Sequence, residues 1–181
     1  DVHKRAGTYT TGALAGVKPP LHLLPPTYNV WHKAELTLKA DQLEFSQDGQ
    51  VLQRATLPKH KRGKGYIPFA TLLHKYEIRN LKIEDLGTSE SYVDSWQPWK
   101  LRDAGTWQTS TNSATGSNGH GINYGTPILK NFIFSAEVFS TNNANGGIFF
   151  RGSPDKQVNR GFEVQIYSPL DSVYPTGSIY G

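Results

Sequence analysis

Apolar residues recur with a period of two along this chain, and no segment keeps a helical period for three turns. Such alternation buries one face of a strand and leaves the other wet, so the chain must close strands on one another. In Ala34-Glu35-Leu36-Thr37-Leu38-Lys39 every second place is apolar, and Leu43 and Phe45 resume the pattern after a change of phase at Ala40-Asp41. Asp48-Gly49 supplies a two-residue hairpin turn, whose central residues need positive φ, and Val51 begins the return. Residues 66–73 and 76–86 read as two further strands, the second bulged at Arg79-Asn80, where Ile78 gives way to Leu81 and Ile83. Residues 132–139 read as a strong strand, and 147–151 and 162–167 as an antiparallel pair joined by a polar loop. Residues 87–100 lose alternation and read as a linker or crossing loop, and the Gly-rich run 116–121 reads as a loop. The pattern predicts an all-β sandwich.

Composition narrows the chemistry. With 18 Gly and 11 Pro in 181 residues, turns are frequent, and the 36% hydrophobic content still supports a core. The absence of cysteine excludes a disulfide framework, a thiolate metal site and a cysteine nucleophile. Four of the 19 Lys and Arg residues crowd into Lys59-His60-Lys61-Arg62-Gly63-Lys64. This reads as a solvated loop, because nucleic-acid binding calls for cations spread over a face, and no nucleic-acid partner is predicted. No apolar run approaches eighteen residues, so no membrane span is predicted. A chain beginning Asp1-Val2-His3 reads as a processed or excised piece. Trp96, Trp99 and Trp107 read as buried core rather than as a sugar-stacking platform. His32 and His74 lack His-Glu-x-x-His spacing, so no metal site and no cofactor is predicted, a divalent ion being the one group left open.

Three pieces of the second half carry a resemblance. Asn145-Gly146-Gly147-Ile148-Phe149-Phe150-Arg151, Gly161-Phe162-Glu163-Val164-Gln165-Ile166 and Thr176-Gly177-Ser178-Ile179-Tyr180-Gly181 together resemble the 3-keto-disaccharide hydrolase domain family. That family's pattern runs Asn-Ser-Gly-Ile, two residues, Arg; then Glu-x-Gln; then Thr-Gly-Ala-Ile-Tyr-Gly. The resemblance implies a concanavalin A-like, laminin-G-like jelly-roll β-sandwich. The first half is similar to the same family's C-terminal half, through Thr11-Gly12-Ala13-Leu14, Tyr28-Asn29-Val30-Trp31-His32, Asp48-Gly49 and residues 76–83. Residues 1–87 are thus expected to be the C-terminal half of one module and 88–181 the N-terminal half of the next, or the whole chain one permuted module. The run Thr11-Gly12-Ala13-Leu14-Ala15-Gly16, an echo of 176–181, favours a tandem array.

Alternation in 162–167 puts Phe162, Val164 and Ile166 on one face and Glu163, Gln165 and Tyr167 on the other, the polar face suiting a sugar-binding groove. If the two strands pair, Arg151 comes within reach of Glu163, either as a site or as a structural ion pair. The resemblance implies attack on a glycoside already oxidised at its 3-position, by elimination followed by hydration. Glu163 is then the candidate base, with Arg151 and Gln165 orienting substrate or stabilising enolate charge and Tyr180 contacting the sugar or donating a proton. Asn145, Tyr167, Trp31 and His32 are further substrate-binding candidates. Three departures stand against the pattern: Asn145-Gly146-Gly147 for Asn-Ser-Gly, Trp31-His32 for Trp-Asn, and Asp48-Gly49 for Asn-Gly, the last reading as harmless. The alternative is a non-catalytic carbohydrate-binding or assembly module. Carbohydrate and neighbouring copies of the module are the expected partners, and an extracellular or periplasmic location the expected setting.

Overall fold

Twelve strands and no helix are found among the described residues of the computed structural model, which are 20–22, 24, 27–58, 63–67, 69–93, 99–101, 106–124, 128–141, 145–151, 161–166, 176–177 and 179–180. In chain order they are β1 (Trp31–Lys39), β2 (Gln42–Gln47), β3 (Gln50–Thr56), β4 (Phe69–Asp85), β5 (Ser91–Val93), β6 (Trp99–Leu101), β7 (Thr106–Thr109), β8 (Ser113–Tyr124), β9 (Phe132–Ser140), β10 (Asn145–Phe150), β11 (Phe162–Gln165) and β12 (Ile179–Tyr180). The first copy of the Thr-Gly echo, residues 11–16, lies outside the described residues, as do Lys59 to Arg62 and Trp96.

One antiparallel path runs β12-β11-β10-β4-β9-β1-β2-β3, with β8 on the opposite edge of β4. Strand β4 organises it. Residues 76–85 pair with β9, whereas residues 69–73 pair with β10, so this strand passes from one leaf of the sandwich into the other. From β9 the first leaf extends through β1, β2 and β3; from β10 the second extends through β11 and β12. Their far ends meet, for Gln53 Nε2 donates to Gly177 O at 3.4 Å and a side chain on Gly177 would press on Leu52. Strands from residues 1–87 and from 88–181 interleave in this path, β1 lying against β9 through eight paired residues.

Alternation fills the space between the leaves. Leu36, Leu38, Phe45 and Leu52 from one side and Ile148, Phe150, Phe162, Val164 and Ile179 from the other join one buried cluster. Each such side chain contributes roughly 1.5–3 kcal/mol by leaving water. The fold is the expected all-β jelly-roll sandwich, and the pairing of β10 with β11 is as the alternation predicts.

Turn chemistry follows the sequence. Asp48 and Gly49 have φ of 51° and 79°, as a type I′ hairpin requires, and Asn80 (φ 53°) marks the bulge where the β4–β9 register shifts. Ala40 also has positive φ, 56°, which a Cβ disfavours by roughly 1–2 kcal/mol. Its amide donates to Asn131 Oδ1 at 2.8 Å and its carbonyl accepts from Arg151 Nη2 at 3.0 Å, and these bonds hold the turn. Ala40→Gly is therefore expected to raise stability by about 0.5–1 kcal/mol in urea unfolding.

Three readings are corrected. Residues 66–73 and 76–86 are not two strands: β4 is one strand of 17 residues, and its irregular pairing near 71–75 broke the apparent alternation. The supposed crossing loop 87–100 holds the edge strands β5 and β6, and edge strands of three residues carry too little pattern to read. Residues 116–121 lie inside β8, a 12-residue strand. Small residues are used there because β8 packs closely on β4, with Ala114 and Gly116 buried opposite Ile78 and Tyr76.

Candidate active site

All four residues of β11 are buried, so its second face, expected to be open and polar, is covered as well. Glu163 is 5% exposed and Gln165 3%. The β10–β11 register sets Gly147 opposite Gln165 and Phe149 opposite Glu163, putting the carboxylate and the amide on one face. Gly147 makes the room. A Cβ there would lie 2.6 Å from the Val164 carbonyl and would overlap the Glu163 carboxylate, so only glycine admits the acid at this place. A carboxylate fixed at one place in this way is positioned as a general base requires.

Arg151 lies one residue past β10 with φ 58°, is 8% exposed, and donates Nη2 to the Ala40 carbonyl in the β1–β2 turn. Trp31 and His32, adjacent in sequence, leave β1 on opposite faces. Trp31 packs against Phe139 with ring centroids 5.4 Å apart and carries the Arg79 guanidinium 3.9 Å above its ring. Arg79 also bonds Glu137 at 2.6 Å, and this bond holds the Glu137 carboxyl below the usual range. His32 points inward instead and lines a cleft with Leu24, Thr27, Gln47, Ser140, Ile166 and Thr176. The backbone puts Asn145 on β10, beside β4, and Tyr180 on β12, opposite Glu163; their side chains lie outside the described residues, as does Tyr167. The side chains of Trp99, Trp107 and His74 are likewise outside them, and among the described residues no group of three His, Asp or Glu side chains could hold a metal.

Sequence reasoning missed two residues. Tyr76, fully buried on β4, read only as an apolar strand position; its hydroxyl has no hydrogen-bond partner among the described residues. Burial pushes its pKa far up, and the charge of Glu163 adds to the shift, which places the carboxylate within electrostatic reach of the phenol. Tyr76→Phe removes an unsatisfied hydroxyl and is expected to leave stability unchanged or raised by about 1 kcal/mol. The phenol's pKa is raised in the folded state, so wild-type stability is intact below about pH 10 and falls above it, where only the unfolded chain ionises. The Phe variant should lose that alkaline slope in pH-dependent unfolding. The second is Asp48, read only as a turn residue, whose carboxylate reaches back to His32 at 2.6 Å. The paired departures at positions 32 and 48 were the signal that could have joined them.

A two-leaf, all-β antiparallel sandwich of this kind is a fold of the jelly-roll class, and it holds a buried carboxylate and amide on one face of β11. Residues 89–181 match the sequence profile of the 3-keto-alpha-glucoside-1,2-lyase-like domain, and the chain belongs to that family. No curated protein matches the chain.

Proposed function

We propose that this chain cleaves glycosides bearing a ketone at C3 by elimination across C1 and C2. The ketone acidifies the C2 proton. Glu163 removes it, the electron pair moves into the enolate, and the C1–O bond breaks as the glycosidic oxygen gains a proton; water then adds to the unsaturated sugar. Gln165, beside the base, donates its amide N–H to the enolate oxygen, and Tyr180, opposite Glu163 in register, contacts the sugar or supplies the leaving-group proton. Arg151 is assigned to orienting substrate from the end of β10, with Asn145, Tyr167, Trp31 and His32 as outer binding residues. The observation that carries this reading is the Glu163 carboxylate seated in the space that Gly147 leaves. In context, the chain is assigned to a tandem or permuted module acting outside the cytoplasm.

A second reading, a carbohydrate-binding or assembly module without turnover, draws support from Arg151, whose guanidinium bonds the β1–β2 turn. Incubation with a 3-keto-glucoside separates the two. Release of the aglycone with a C1–C2 unsaturated ketone as first product supports the elimination, and saturable binding with no release supports the module.

A further inference from the structure

A second cluster of chemically able side chains gathers around His32, in the cleft between the leaves. Asp48 Oδ1 accepts from the Lys33 amide at 2.8 Å while Oδ2 lies 2.6 Å from His32 Nδ1, so the turn aspartate is fixed at both oxygens. A carboxylate only accepts, hence Nδ1 carries the proton, and Nε2 is the nitrogen that serves as acceptor in the neutral tautomer so fixed. Nε2 lies 2.7 Å from Thr27 Oγ1, the distance at which that tautomer accepts from the hydroxyl. Nucleophile, base and orienting carboxylate are thereby joined in series, the connectivity by which acyl-transfer relays are recognised whatever their fold. His32 is 16% exposed, partly shielded yet open to solvent.

An independent feature faces the same space. Gln47 lines the cleft, is only 7% exposed, and among the described residues its amide has no hydrogen-bond partner. The cleft has room of about 20 Å³, enough for one water or for a carbonyl oxygen. Two of the three departures noted in the sequence, His32 and Asp48, touch one another here: a pair able to carry a proton stands where the related pattern has two amides.

We propose that Thr27, His32 and Asp48 form an ester-cleaving site for small acyl groups, acetate esters of hydroxyl compounds being the chemical class. Thr27 Oγ attacks the acyl carbon as His32 takes its proton; the ester C–O bond breaks, and His32 returns the proton to the departing alkoxide. Water, deprotonated by His32, then adds to the acyl-threonine carbonyl; the acyl C–Oγ bond breaks, His32 returns the proton to Thr27 Oγ as acetate leaves, and the Gln47 N–H₂ supports the oxyanion in both halves. Asp48 is a positioning residue that holds the ring and its tautomer.

The probe is 4-nitrophenyl acetate with the intact chain, followed by nitrophenolate release and, after acid quench, by peptide mass. Wild type is expected to turn over and to carry one acetyl group on the peptide containing Thr27. Thr27→Ser keeps turnover, Thr27→Ala abolishes both signals, and Asp48→Asn lowers kcat by about 10²–10⁴-fold with little change in KM. No turnover by wild type, turnover unchanged in Thr27→Ala, or acetyl on another residue overturns the proposal. Because Thr27→Ser retains the hydroxyl, its activity separates lost chemistry from lost folding in the alanine variant.

Discussion

Glu163→Gln is expected to lower aglycone release from a 3-keto-glucoside by about 10²–10⁴-fold, the usual contribution of a positioned base, while the variant still folds and still binds the sugar. Glutamine matches glutamate in shape, and the space beside Gly147 holds either side chain, so packing between β10 and β11 is preserved. What disappears is the capacity to accept a proton. The change also removes a negative charge that helps raise the Tyr76 hydroxyl's pKa, so the tyrosine's alkaline titration should move down in the same variant. The two readouts are independent, one kinetic and one spectroscopic. Loss of the first with a shift in the second locates the effect at the carboxylate rather than in a global change of structure.

Gly147→Ala should be nearly as damaging to activity, by a different route. The added methyl lies 2.6 Å from the Val164 carbonyl, a backbone atom that cannot rotate away, and it overlaps the Glu163 carboxylate as well. Relief requires β10 and β11 to separate or Glu163 to swing off its face. Overpacking of this kind costs about 1–3 kcal/mol, read as a lower urea midpoint. Displacing the base by an ångström or so is expected to cost about 100-fold in kcat. Gly65→Ala provides a comparison. It meets the Arg151 backbone, with the carbonyl oxygen at 2.9 Å, so it strains the end of β10 rather than the face beside Glu163.

Much of the architecture was legible because one-sided burial imposes alternation. The strands β1, β2 and β9 announce themselves through Ala34, Leu36 and Leu38, through Leu43 and Phe45, and through Phe132 to Val138. Asp48-Gly49 announces a turn for the same kind of local reason, the need for positive φ. Strand β8 was not legible. Its partner β4 supplies the bulk opposite residues 113–117, which are Ser, Ala, Thr, Gly and Ser and taken alone have the composition of a loop. Likewise β4 hides its continuity, since pairing with β10 at one end and β9 at the other changes its phase midway.

The site was partly legible. Spacing placed Glu163 and Gln165 together, and the β10–β11 register bears this out. Spacing does not tell every place a long side chain reaches: the Arg151 guanidinium also bonds a turn 111 residues away along the chain. Trp31 and His32, adjacent in sequence, are sent by their strand to opposite faces. The approach of Asp48 to His32 is a tertiary event across 16 residues, visible only once β1 and the β2–β3 turn are laid side by side.

Proton exchange at C2 of a 3-keto-glucoside in deuterium oxide, followed by NMR before any aglycone has left, bears on the assignment of Glu163 most directly. The wild-type chain is predicted to replace that hydrogen with deuterium, and Glu163→Gln to bind the sugar and leave it untouched. Exchange at the wild-type rate in the glutamine variant would contradict the account.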